Sequence, residues 1–166
     1  FEEVEHLIEN GCRNIAMLSG KKTAQVSERR ECGYRRALEK YGLHIREEWI
    51  EDCLFDQKTA VQKSIELKKS YPEIDAFFCV SDGVAIGAIE GMGQLGVRVP
   101  DDVAIAGFDD CTVSQYIHGG ITSIKQYPYK MGVACANTVI SMIEGNRVPD
   151  WIPMEYKLMK RASTKK

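Results

Sequence analysis

Short apolar runs recur along this chain, separated by segments of helical period, and that alternation narrows its possible folds more than any other feature. Asn14 to Leu18, Ile74 to Val80 and Val103 to Phe108 are too short for buried helices and almost purely apolar, as strands covered on both faces must be. Trp49 to Leu54 supplies a fourth strand. Between them the apolar period is helical. Val4, Leu7 and Ile8 share a face that ends at Gly11. Ser27 to Tyr41 turns Tyr34, Ala37, Leu38 and Tyr41 inward and stops at Gly42. Thr59 to Lys69 does the same through Val61 and Ile65 before Pro72, and Ser81 with Asp82 opens a helix carrying Val84, Ala85, Ile89 and Met92. Strands of this kind alternating with helices predict an α/β fold, a parallel sheet with helices on both faces joined by right-handed crossovers. After Ile124 the pattern changes to a helix over Tyr129 to Ile143, a stop at Gly145, a strand-like Ile152 to Met159 and a polar tail, Arg161 to Lys166, expected to fray.

A sheet of this type binds ligands in the crevice at its carboxyl edge. The residues just after each strand therefore carry the functional expectation: Ser19 to Arg30, Phe55, Ser81 with Asp82, Asp109 with Asp110, and Lys125 with Gln126. Asp109 leaves a buried strand and can accept hydrogen bonds from two adjacent hydroxyls, or else tie the following loop through backbone amides. Arg30, on the first turn of its helix, offers a planar fork of donors to a ligand oxygen, or a surface ion pair. Phe55 is a stacking plate for a ring or a core plug, and position alone favours the plug.

Other chemistries find little support. A net charge of -2 with scattered Lys and Arg gives no field for a phosphate backbone or an anionic membrane. No apolar stretch approaches the roughly 20 residues of a membrane helix. Six cysteines without a C-x-x-C pair read as small core residues, reduced in a cytoplasmic setting. Gly20-Lys21-Lys22-Thr23 is not a phosphate loop, because Ile15 stands where the first glycine is needed. The conceivable nucleophile and base pairs, Cys32 with His44 or His118 and Ser27 with His118, lie in no catalytic signature. Three histidines and the acid pairs Asp101-Asp102 and Asp109-Asp110 lack metal-site spacing, and Asp101 and Asp102 read as solvated turn residues. The expectation is no enzyme, no metal and no cofactor.

A series of segments runs over nearly the whole chain: Glu5 to Ile8 with Gly11, Arg13 and Ile15-Ala16; Arg30-Glu31-Cys32-Gly33-Tyr34; Ser81-Asp82 with Ala85 to Ala88; Gly96 to Val103; Gly107-Phe108-Asp109-Asp110; Thr122 to Gln126; Met131-Gly132; and Arg161 to Thr164. In order and spacing these segments resemble the effector-sensing part of LacI/GalR-type transcription repressors. The resemblance implies a two-lobed, periplasmic-binding-protein-like type I sensor, here the second lobe plus a fragment of the first. Arg30, Phe55, Ser81, Asp109 and Gln126 occupy the matching effector-facing positions. Ser81 stands where the family commonly has Asn, and Asp82 looks like the family's helix cap. By the same resemblance residues 1–124 form the C-terminal lobe, 125–151 cross to a helix of the N-terminal lobe, and 152–166 return as a strand and tail. The implied partners are a small polar effector (a sugar or polyol, with a nucleobase as another candidate), a second copy in a homodimer, and operator DNA only through a headpiece expected to lie outside this chain. Without its sheet, the helix of the first lobe should expose apolar surface. A periplasmic sugar-binding protein of a transporter is the rival that shares this fold.

Overall fold

The computed structural model describes residues 1–165. Its elements in chain order are α1 (Glu2–Glu9), β1 (Ile15–Ser19), α2 (Gln25–Lys40), β2 (Ile50–Asp52), α3 (Gln57–Ser70), β3 (Ala76–Cys79), α4 (Asp82–Gln94), β4 (Ala104–Asp109), β5 (Thr122–Gln126), α5 (Pro128–Ile143) and β6 (Tyr156–Met159). They build one sheet in the order β2-β1-β3-β4-β5-β6, parallel throughout except for β6, which runs antiparallel to β5. The fold is therefore mixed α/β with a mostly parallel sheet. The parallel run has a fifth member, β5, beyond the four apolar strands read from the sequence.

The two-residue alternation of a strand divides the core between the two faces. Leu18, Phe77 and Ile105 pack on one side with Ala60 and Leu67 of α3 and Val84, Ala85, Ala88 and Met92 of α4. Met17, Phe78 and Ala106 pack on the other with Val4, Leu7 and Ile8 of α1 and Tyr34, Ala37 and Leu38 of α2. Each large side chain taken wholly out of water contributes about 1.5–3 kcal/mol before its entropy cost. Both faces are thus closed, and every parallel strand delivers its carboxyl end to the same edge.

Several expectations are corrected. Tyr41 is not inward: it ends α2 exposed, its hydroxyl donating to Glu5 Oε1 at 3.1 Å beside the Lys40 ammonium at 2.7 Å. Val61 and Ile65 are only half-buried, and α3 buries Ala60, Ser64 and Leu67 instead. Asp101 and Asp102 are exposed turn residues, as read, with Arg98 in addition clasping the Asp102 carboxylate from Nε at 3.0 Å and Nη2 at 2.7 Å. The tail does not fray over 161–165. Ala162–Thr164 forms a 3-10 turn, Ser163 Oγ donates to the Ile105 carbonyl at 2.6 Å, and Thr164 Oγ1 lies 2.7 Å from Thr122 Oγ1 and 3.0 Å from His6 Nε2. These hydroxyls are short enough to enter the sheet and satisfy its polar groups, which holds the segment buried. Lys166 lies outside the described residues.

Helix α5 buries none of its residues, and Val139, Ile140, Met142 and Ile143 are exposed, so the apolar surface expected there is open. Among the described residues no helix is long and apolar enough to cross a membrane.

The cysteines divide evenly: Cys12, Cys53 and Cys79 are buried, whereas Cys32, Cys111 and Cys135 are exposed and not core residues. Burial pushes the Cys53 thiol up to about 12 and raises Cys79 well above the ordinary range. Because the thiolate is the nucleophile, brief iodoacetamide treatment of the native chain at pH 8 is expected to alkylate the exposed three and spare the buried three. Equal labelling of Cys53 or Cys79 in a peptide map would show that this core opens.

Candidate functional site

Strand β4 delivers Phe108 and Asp109 to the carboxyl edge, and the chain then turns on two left-handed residues, Asp109 at φ +110° and Asp110 at φ +51°. Non-glycine residues avoid this region, at about 1–3 kcal/mol each, and such strain gathers at functional sites. Phe108 and Asp109 both address Arg30 on α2. Its guanidinium lies 3.7 Å over the Phe108 ring, its Nη2 is 3.4 Å from Asp109 Oδ1, and its Nη1 donates to the Val80 carbonyl at the end of β3. From the end of β5, Gln126 Nε2 donates to the same Asp109 Oδ1 at 2.6 Å. Three candidates from three elements therefore meet at one carboxylate. Arg30 is held inside the edge while Asp109 faces outward, their side chains 13% and 42% exposed. Burial raises the Asp109 carboxyl above the ordinary range against the opposing pull of Arg30, and burial likewise lowers Arg30 against Asp109.

Ser81, not Asp82, caps α4: its Oγ accepts from the Val84 amide at 3.3 Å while its own backbone is extended. It follows Val80, whose carbonyl holds Arg30. Asp82 instead is buried, accepting from the Cys111 amide and from Ser123 Oγ, both at 2.7 Å. Tying the loop after β4, one role open to Asp109 on sequence, thus falls to Asp82. Phe55 is not a core plug. It follows Leu54 with both residues at positive φ, its ring covers Gly20 so closely that a Cβ there would overlap it, and it is 38% exposed. In the sheet its strand is separated from β4 by β1 and β3.

Two residues escaped the sequence reading. Phe108 was counted as the last apolar residue of its strand, although it stacks under Arg30. Glu3, four residues before Leu7 on α1 and so on its apolar face, is 1% exposed with no hydrogen-bond partner for Oε1; burial raises it well above the carboxylate range. A carboxylate on an otherwise apolar helix face was the signal. Glu3, Arg30, Phe108 and Gln126 line an open cleft of about 450 Å³, and a neighbouring hollow of about 400 Å³ continues past Phe108 and Gln126 to Met131 and Met154.

Asp109 Oδ2 and the Gln126 amide oxygen remain to accept from a ligand, Arg30 keeps further N–H donors, and Phe108 adds an apolar plane. Such a set suits adjacent hydroxyls on a ring. A ring nitrogen of His118 lies 2.6 Å from the Val99 carbonyl. Among the described residues no group of three or more His, Cys, Asp or Glu side chains could hold a metal ion.

Against known proteins, residues 4–164 match the family of periplasmic binding protein-like domains. The HTH-type transcriptional repressor PurR of Actinobacillus pleuropneumoniae serotype 3 (strain JL03) is 29% identical over 164 residues, covering 97% of this chain and 49% of that protein. A solved complex of the transcriptional regulator CelR with cellobiose superposes with a TM-score of 0.92 at 33% identity, over 97% of this chain and 50% of that one. A regulatory protein of the LacI family from Chloroflexus aggregans gives a TM-score of 0.90 at 28% identity, over 98% and 59%. The chain spans about half the length of the relatives it matches.

Proposed function

The chain belongs to the periplasmic binding protein-like domain family, in the form carried by LacI-family transcriptional regulators, and from that premise we propose that it senses a small polyhydroxyl effector for a cytoplasmic repressor. The carrying observation is the convergence of Arg30 and Gln126 on Asp109 at the carboxyl edge, beside the Phe108 face. Asp109 accepts from neighbouring effector hydroxyls, Arg30 and Gln126 orient that carboxylate and donate to ring oxygens, and Ser81 completes the site from the neighbouring end of β3 and Phe55 from the more distant end of β2. Residues 1–124 act as one lobe, 125–151 cross to the other, and 152–166 return. The open apolar side of α5 supports that division, since a second lobe would cover it.

The mechanism is binding without turnover. An effector that fits the closed lobes better than the open ones shifts the population, and in a homodimer that shift alters the spacing of DNA-contacting parts outside this chain. A thermal-shift screen of the full-length protein against neutral sugars, cellobiose included, and nucleobases tests this. A ligand present at about 100 times its Kd is expected to raise stability by about 2.7 kcal/mol and to change operator affinity. No shift with any sugar or nucleobase would overturn the proposal.

A further inference from the structure

The strained pair Asp109-Asp110 persists only because its surroundings over-determine it, and the restraint comes from a place the effector site does not include. Asp110 is buried, with its amide donating to Ser123 Oγ at 3.0 Å and its Oδ1 held by Arg161 Nη2 at 2.5 Å. Its Oδ2 makes no hydrogen bond and faces the Lys125 ammonium at 3.9 Å. Arg161 is itself immobilised. Nη1 donates to the Ile121 carbonyl at 2.7 Å, its backbone amide donates to Thr122 Oγ1 at 2.8 Å, and its side-chain carbons lie where a Cβ on Gly120 would stand. A guanidinium fixed at both ends can pin a carboxylate in one geometry, which a flexible ammonium does less well.

We propose that Arg161 is a positioning residue for Asp109. By clamping Asp110 it sets the left-handed turn that presents the Asp109 carboxylate to Arg30, Gln126 and the effector. The role rests on Asp109 being an effector ligand. Because Arg161 closely follows β6, the effector-facing carboxylate is also tied to the segment by which the chain returns from α5.

The test uses the full-length protein without ligand, reading amide hydrogen exchange at Asp110 and Cys111 and the NMR signal of the Gln126 side-chain amide. Arg161→Gln is expected to speed exchange at both amides by roughly tenfold to a hundredfold, the effect of losing a charge-assisted hydrogen bond, and to move the Gln126 signal. Arg161→Lys, which keeps the charge, recovers part of the protection and serves if the glutamine variant folds poorly. Ser163→Ala removes the neighbouring tail contacts to the Ile105 carbonyl and the Thr122 amide without touching Asp110, so it lowers the melting temperature while leaving all three signals in place. Unchanged signals in both Arg161 variants, or an equal response to Ser163→Ala, would overturn the proposal. A wild-type protein unresponsive to every sugar and nucleobase would sink the effector reading without altering these ligand-free signals, so the two failures are distinguishable.

Discussion

Alanine in place of Asp109 is expected to cut the effector-induced rise in melting temperature of the full-length protein to about a third or less while changing its effector-free stability by no more than about 1 kcal/mol. The separation follows from where the carboxylate stands. Asp109 is partly exposed and takes no part in the core, and its loss leaves Arg30 still donating to the Val80 carbonyl and stacked on Phe108. The fold keeps its contacts. The effector loses its charged acceptor, and Gln126 and Arg30 lose the group that orients them. Truncating one partner in such a desolvated set costs about 2–5 kcal/mol, at least a thirtyfold loss of affinity. Arg30→Ala is expected to weaken binding similarly but to cost more stability, because its side chain is the better buried of the two. Scanning fluorimetry with the effector found by the screen, beside an operator mobility shift, reads both quantities. A wild-type response in the Asp109 variant would remove Asp109 from the site.

Arg30 and Asp109 were legible in the sequence because one rule located them: a parallel sheet brings every strand's carboxyl end to one edge, and their strands announced themselves by composition; Gln126 was singled out although its strand, β5, did not. What was hidden depended on geometry finer than that rule. Strand β5 carries Thr122 and Ser123, whose hydroxyls are satisfied by Thr164 and Asp82, so its polar residues sit in a core that composition alone would deny them. The cap expected of Asp82 fell to Ser81 because a single residue of register decides which side chain caps α4 and which reaches back under the β4 loop. Phe108 was missed because its place beneath Arg30 is set by the positive φ that follows it, which no apolar pattern encodes. The cysteines misled for a related reason: Cys32 and Cys111 are small enough for a core but lie at the carboxyl edge, where the chain meets solvent.

Helix α4 offers the sharpest check on the packing. Its apolar period carries Val84, Ala85, Ile89 and Met92, but Ile89 is only half-buried and the buried side includes Gly87, Ala88 and Gly91, because α4 lies directly on α3. A Cβ at Gly87 would collide with the Gln57 carbonyl oxygen and stand 2.9 Å from Ala60 Cβ, and a backbone carbonyl yields only if α3 moves. Gly87→Leu is therefore expected to destabilise the chain by roughly 3 kcal/mol or more, lowering the melting temperature by about 6–12 °C. At Gly93, on the same helix, a Cβ would meet nothing within 4 Å, so Gly93→Ala is expected to stabilise by about 0.5–1 kcal/mol. Both substitutions replace a helical glycine with a better helix former. Opposite signs in a thermal melt thus isolate the α3 contact from helix propensity, and a Gly87→Leu chain as stable as wild type would mean that the two helices are not packed as described.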